Sequence, residues 1–190
     1  QYFKWLSRVM RGDLGRSIVS GRPVWSLIRQ ALPVTVELGL AAWLLAYVVA
    51  IPIGVIAAVR RHTAWDNASM FLAIIGVTVP DFWLSLLLIL VFAATLKWFP
   101  IAGYGGIEYL VLPALALGAG RMAVLARTVR ASMLDVLDSD YVRTARAKGL
   151  SESLVVIRHA FRNALLPLVS LGGLQLGYLV GGAVVVETIF

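Results

Sequence analysis

The sequence contains no cysteine. Disulfide staples, thiol nucleophiles and cysteine-held metals are thereby excluded. Histidine is scarce too, with 2 copies. His62 and His159 each flank a basic run, which suits a solvated or interface side chain better than a ligand. Charge is sparse: Asp, Glu, Lys and Arg make up 14% of the residues, where a soluble domain carries about a quarter. No glycine-rich phosphate loop, Ser-His-Asp arrangement or metal-ligand cluster can be picked out. The chain is therefore not expected to be an enzyme or to hold a cofactor or metal. What remains is apolar: 60% of the 190 residues are hydrophobic, and the mean hydropathy is +0.87. That is enough for several spans of about 20 residues each. The net charge of +7 would suggest nucleic acid in a soluble protein. Here the basic residues gather in short polar stretches between apolar runs, so membrane orientation accounts for them and no nucleic acid is expected. The chain begins at Gln1 without a signal peptide and stops at Phe190 after an apolar run. The expectation is a fragment of a longer protein.

The expected fold is all-α, a polytopic integral membrane protein with about four to five transmembrane helices in contact with lipid. Residues 1–33 form an N-terminal segment. Trp5, Leu6, Val9 and Met10 suit a short amphipathic helix, ended by Gly12, Asp13, Gly15 and Gly21-Arg22-Pro23. Residues 34–190 hold the spans. The first is expected over 34–59, with Pro33 at its first turn and Pro52 as a kink. The second covers 68–96, long and bent or tilted, with Pro80-Asp81 in its middle. Asp81 either faces a translocation path or only shapes a break, since an ionisable group at that depth is a functional candidate. Lys97-Trp98-Phe99-Pro100 and the following glycines form a short external loop, with Trp98 and Tyr104 suited to an interfacial belt. The third span covers 109–126. Gly118-Ala119-Gly120 permits close packing there. Arg121 either faces the path or marks a span that ends early. The fourth covers 164–186. Its recurring glycines, Gly172, Gly173, Gly177, Gly181 and Gly182, suit close helix contacts within the chain, against a partner or along a pore. Gln175 is its lone polar group and a second candidate for the path.

Orientation follows from the basic residues. Loops 60–67 and 127–163 hold two and seven Lys or Arg, and loop 97–108 holds only Lys97. The positive-inside bias puts the first two in the cytoplasm. The N-terminal segment, with six, breaks the pattern.

The stretch from Asp140 to Pro167 reads DYVRTARAKGLSESLVVIRHAFRNALLP. It is too polar to cross hydrocarbon. Ser139 or Asp140 can cap a short helix through Lys148. Gly149 can end it in the left-handed region, with Arg146 and Lys148 at the favourable C-terminal end. A second helix can start at Ser151. Leu154, Ile157, Phe161 and Leu165 then share one face, and Glu152, Arg158 and Arg162 lie off it. Helix, glycine hinge and a helix with one apolar face make a docking element.

These residues resemble the cytoplasmic loop of permeases of ATP-binding cassette importers that work with a binding protein. In that family an EAA-type segment leads to a glycine and then a coupling helix, which seats on the ATPase. Here the Glu-Ala-Ala positions read Arg143, Thr144 and Ala145, and the glycine is Gly149. Arg-Asn-Ala-Leu-Leu-Pro (Arg162 to Pro167) stands where the family usually has Ile-x-Leu-Pro. Thr-Ala-Arg-Ala-Lys-Gly-Leu followed by Arg-His-Ala-x-Arg-Asn-Ala-x-x-Pro is similar to the dipeptide, oligopeptide and nickel branch. Gly-Asp-Leu-Gly at Gly12 to Gly15 and Glu-Thr-Ile-Phe at Glu187 to Phe190 fit the same branch. The resemblance implies a type I importer membrane domain in the inner membrane of a prokaryote. It also implies an extracytoplasmic segment at 1–33 following a transmembrane helix that is missing here. ATP would be bound by two separate cytoplasmic ATPases, substrate would come from an extracytoplasmic binding protein, and a second, related permease would complete the path. Short peptides are the expected cargo, with nickel or glutathione as alternatives within the class. An ATP-independent channel or secondary transporter, or a membrane scaffold, is the alternative outside it. The docking element argues against a channel, which has no use for one.

Overall fold

The fold is given by a computed structural model that describes residues 2–190, the side chains of Lys4, Leu179 and Val180 excepted. Residues 1–37 and 38–190 form two compact units. In the first, α1 (Tyr2–Val9) is the expected short helix. The chain then turns, with Asp13 Oδ1 accepting from the Gly15 amide at 2.9 Å and a bridge between Arg16 and Pro23. Helix α2 covers Val24–Val59. It starts at Val24, not near 34 as expected. Ser26 and Leu27 already donate their amides to the Pro23 carbonyl, so Pro23 rather than Pro33 flanks the first turn.

The second unit is built on small residues. Along α2 the buried hydrophobic side chains are Leu38, Ala42, Ala46, Ala50, Ala57 and Ala58, the first four at a spacing of four that puts them on one face. They meet α5 (Ile107–Leu137) and α8 (Arg162–Glu187). One apolar cluster joins Leu38 and Ala42 to Ala114, Ala116 and Leu117 of α5 and to Ala183 and Val186 of α8. A second joins Ala50 and Ala58 to Leu125, Val129, Met133 and Leu137 of α5 and to Ala164 and Leu168 of α8. Residue numbers rise from the first cluster to the second in α2 and α5 and fall in α8. So α2 and α5 run the same way and α8 returns. The large apolar side chains point outward: Leu40, Leu44, Val48, Phe71, Leu72, Leu166 and Val169 are all exposed. That is the pattern of a chain whose outer face meets lipid rather than water.

The second span is bent, as expected, and two corrections concern the others. The expected second span divides into α3 (Ala64–Thr78) and α4 (Asp81–Leu88), the latter continuing as π-helix over Ile89–Thr95. The two arms meet at 105°. Pro80 has no amide to donate, and Val79 and Pro80 are extended, so the helix ends and restarts there. The helix that carries the third span does not stop at 126; α5 continues to Leu137, because nothing between Arg127 and Leu137 breaks a helix. Arg121 therefore lies inside a helix and does not end one. The fourth helix is also longer than expected, since the stretch Glu152–Glu187 is helical without interruption. Among the described residues, three helices are long and apolar enough to cross a membrane, and the bent pair makes a fourth if counted as one span.

The glycines sort into two groups. A Cβ on Gly172 would sit 2.4 Å from the Tyr47 hydroxyl oxygen, so this position needs glycine for α8 to approach α2. The Trp43 indole donates to the Gly172 carbonyl at 3.2 Å and Tyr47 to that of Leu168 at 2.8 Å. Gly118 lies close to the Ala42 carbonyl and Gly120 to that of Gly76, as the expected close packing requires. A Cβ on Gly173, Gly177 or Gly181 would meet nothing within 4 Å. Those three glycines serve no contact within the second unit.

Candidate functional site

The docking element begins with α6 (Asp140–Ala147). Ser139 holds the N-cap position but does not cap; its hydroxyl donates backward to the Val136 carbonyl at 2.5 Å. At the other end Gly149 has φ +78°. Its amide donates to the Arg146 carbonyl at 2.9 Å, and that of Leu150 to Ala145 at 3.4 Å. This pair of bonds is a Schellman motif, which needs a left-handed residue at the Gly149 position. Arg146 and Glu152 then face each other across the turn, joined by two hydrogen bonds of 3.1 and 2.7 Å. The bond to Glu152 raises the Arg146 pKa above its ordinary value. Both side chains are largely exposed, so the pair fixes geometry more than it adds stability. Gly149→Val is expected to open this turn at about 1–3 kcal/mol, because a β-branched residue resists positive φ. No neighbour lies within 4 Å of a Cβ there, so the cost is backbone strain alone. Retained expression with lost uptake is the expected readout; normal uptake would show that the turn tolerates another shape.

After the turn, α7 (Glu152–Leu154) passes into a π-helical stretch, Val155–Phe161, and then into α8. A π turn takes in about one residue more than an α turn. That changes which residues share a face. Val155, Val156, Ala160, Ala164 and Leu168 are buried, while Leu154 and Ile157 are exposed at 37% and 66%. The stripe expected from α periodicity is therefore divided. Phe161 and Leu165 turn toward the core, whereas Leu154 and Ile157 look outward. Of the other expected interface residues, Arg143, Thr144, Gly149, Glu152 and Arg158 are exposed and Ala145 is buried beneath them. The outcome is a small apolar patch with a mostly basic rim.

Two ion pairs fasten the end of α5 to the turn after α2 and to the start of α3. Asp66, only 2% exposed, accepts from Arg130 Nε at 2.5 Å and Nη2 at 2.7 Å and from the His62 amide at 3.0 Å. Arg61 meets Asp138 at 3.1 Å. Loops 60–67 and 127–163 thus lie at the same end of the second unit, as their shared charge suggested. The Asp66–Arg130 pair was not foreseen. Thr63-x-x-Asp66 does match a helix-start spacing, but its partner lies 64 residues on.

The interior polar residues behave differently. Asp81 is the first residue of α4, half-buried, and α4 packs against both α5 and α8. No hydrogen bond to its carboxylate occurs among the described residues, including from the turn next to Pro80. Arg121 of α5 is the charge that acts on it electrostatically. The Nε of Arg121 is buried without a partner, as are Gln175 Oε1 and Glu187 Oε1. Gln175 is 5% exposed.

Residues 50–190 match the family described as binding-protein-dependent transport system inner membrane component. The oligopeptide transport system permease protein AppB of Bacillus subtilis (strain 168) is 44% identical over 201 residues, covering all of this chain and 64% of its own length. A putative peptide transport system permease protein of Brucella abortus (strain 2308) is 44% identical, over 63% of its length. The glutathione transport system permease protein GsiC of Escherichia coli (strain K12) is also 44% identical, over 62% of its length. The chain thus spans just under two thirds of the length of these curated relatives.

Proposed function

Because this chain belongs to the family of binding-protein-dependent inner membrane transport components, we propose that it is part of the permease of an ATP-driven importer for short peptides. The family is one of transport permeases, not ATPases, and its place is the inner membrane. ATP is bound and hydrolysed by two separate cytoplasmic ATPase subunits. A binding protein outside delivers the cargo, and a second, related permease closes the path. Peptides are favoured over nickel because AppB and the Brucella relative are named as peptide permeases, and GsiC keeps glutathione as a second reading.

The observation that carries this reading is the outward patch of Leu154 and Ile157 on the Gly149 turn. Closure of the ATPase pair pushes on that patch. The push reaches α5, because Val142, Ala145, Val155, Val156 and Ala160 pack onto its inner half. The Asp66–Arg130 pair passes it to the base of α3. Helix α3 ends at Thr78, and Pro80 beyond it has no amide to tie it to α4. Rocking of the permease halves then switches access across the membrane.

Leu154→Ala with Ile157→Ala tests the patch. Each truncation removes about 2 kcal/mol of burial if the patch is covered, so the ATPase should bind more than tenfold more weakly. Co-purification of the ATPase with the inserted permease is the measurement. Undiminished recovery at normal membrane levels would remove the docking role. Phe161→Ala is a poorer probe than the sequence suggested, since it hollows the core beneath the patch.

A further inference from the structure

A groove of about 480 Å³ lies between α2, α3 and α5 in the second unit. Helix α3 lends it Ala68, Leu72 and Gly76, a spacing of four that keeps them on one face. The floor is α5, through Ala119, Ala123 and Ala126, whose short side chains leave the hollow. On the other side stand Ile53 and Ile56 of α2. The large side chains at the edges, Ile53, Ile56, Trp65 and Leu72, are exposed, so the groove opens sideways, toward lipid. Its lining is dry. Ser69 holds a hydroxyl there, and this already donates to the Trp65 carbonyl at 2.7 Å. A peptide in the groove would leave its amides unpaired, at a cost that an apolar guest escapes. From Trp65 to Gly76 helix α3 rises ~16 Å, about half of a ~30 Å hydrocarbon layer. Spread over that length, 480 Å³ leaves a cross-section of about 30 Å². That admits one hydrocarbon chain but not a helix, which is about 10–12 Å across.

The mouth of the groove is charged. At its Trp65 end a second hollow, of about 330 Å³, shares Ile56 and Trp65 with the groove and is bounded by Arg60. Arg60 is exposed, and its guanidinium has no ion-pair partner among the described residues. The acids near this turn are engaged elsewhere, Asp66 by Arg130 and Asp138 by Arg61. The mouth therefore carries an uncompensated positive charge, beside a tryptophan of the kind that gathers at headgroup depth. We infer that the groove binds one phospholipid with an anionic headgroup, its acyl chain along α3 and its phosphate at Arg60. Three features select that guest together: a hollow one leaflet long, a lining without free polar groups, and a forked cation where the headgroup lies. The inference needs the chain to lie in a membrane and does not depend on the cargo.

The test is native mass spectrometry of the whole transporter, purified in detergent and titrated with dioleoylphosphatidylglycerol or dioleoylphosphatidylcholine. The two lipids share their acyl chains and differ in headgroup charge. The unaltered transporter should hold the anionic lipid about tenfold more tightly, the scale of one charge-assisted hydrogen bond. Arg60→Gln should bring the two lipids level. Ala68→Phe takes space from the groove at an exposed position. It should weaken both lipids about tenfold, as the loss of about two buried methylenes would. Equal retention of the two lipids by the unaltered protein, or a charge preference that survives Arg60→Gln, would overturn the headgroup site. Undiminished retention by Ala68→Phe would show that the lipid sits elsewhere. Loss of the partner permease from Ala68→Phe, with Arg60→Gln binding both lipids as the unaltered protein does, would assign the groove to a protein contact instead. Transport plays no part in these readouts, so they stand or fall apart from the importer reading.

Discussion

Asp66→Ala is expected to destabilise the protein by about 3–5 kcal/mol, the usual cost of stranding one member of a buried ion pair. Three donors converge on this carboxylate: two from Arg130 and one from the His62 amide. Alanine removes all three bonds at once. The Arg130 side chain is 25% exposed, so water reaches part of the stranded charge and the loss falls toward the lower end of that range. Asp66→Asn separates the contributions, because the amide oxygen can still accept from His62 while the charge is gone. Its expected loss lies between those of wild type and the alanine variant. Arg130→Lys should also fall between, as an ammonium cannot make the forked contact. The measurement is the thermal unfolding midpoint of the purified protein in detergent, followed by tryptophan fluorescence. Equal midpoints for wild type and Asp66→Ala would mean that the pair holds nothing together.

Gly54→Val should produce the second large effect. Here α2 crosses α5 so closely that a Cβ would lie 2.5 Å from the Val129 Cβ and 2.7 Å from the Ala126 carbonyl oxygen. The carbonyl belongs to a helix backbone and cannot rotate aside. The helices must separate instead, loosening the cluster around Ala50, Ala58, Leu125 and Met133. Overpacking of this kind costs about 1–3 kcal/mol, and more where backbone is struck. Gly177→Val is the control, since a Cβ at that position meets nothing within 4 Å. A lowered midpoint for Gly54→Val with little change for Gly177→Val is the expected result. Similar midpoints for both would show that the α2–α5 crossing yields easily.

The sequence carried the local signals well. The glycine turn at 149, the break at Pro80 and the short N-terminal helix all follow from chemistry within a few residues. So does the shared end of the two basic loops, which depends only on where charge can lie. Three things were not legible, each for a stated reason. The π stretch at 155–161 re-registers the docking face, and an i to i+5 bond leaves no fixed residue pattern to read. The continuation of α5 past 126 places Arg127 and Arg130 on a helix; hydropathy marks where the lipid ends, not where the helix does. The partner of Asp66 comes from α5, far along the chain, and only the fold brings it near. Arg121 was weighed as the end of a span because a charge in an apolar run has no visible partner in one dimension.

The length of α5 has a mechanical consequence. Its 31 residues make a rod of about 46 Å, against a hydrocarbon layer of ~30 Å. The surplus falls at the end that carries the docking element. A rod pivoting about its middle by ~10° moves its tip sideways by ~4 Å, given the rise of an α-helix. Points nearer the pivot move in proportion to their distance from it, so those a third of the way out move by little more than 1 Å. A displacement of several ångströms at the docking face is thereby geared down to a small, forceful shift deep in the membrane.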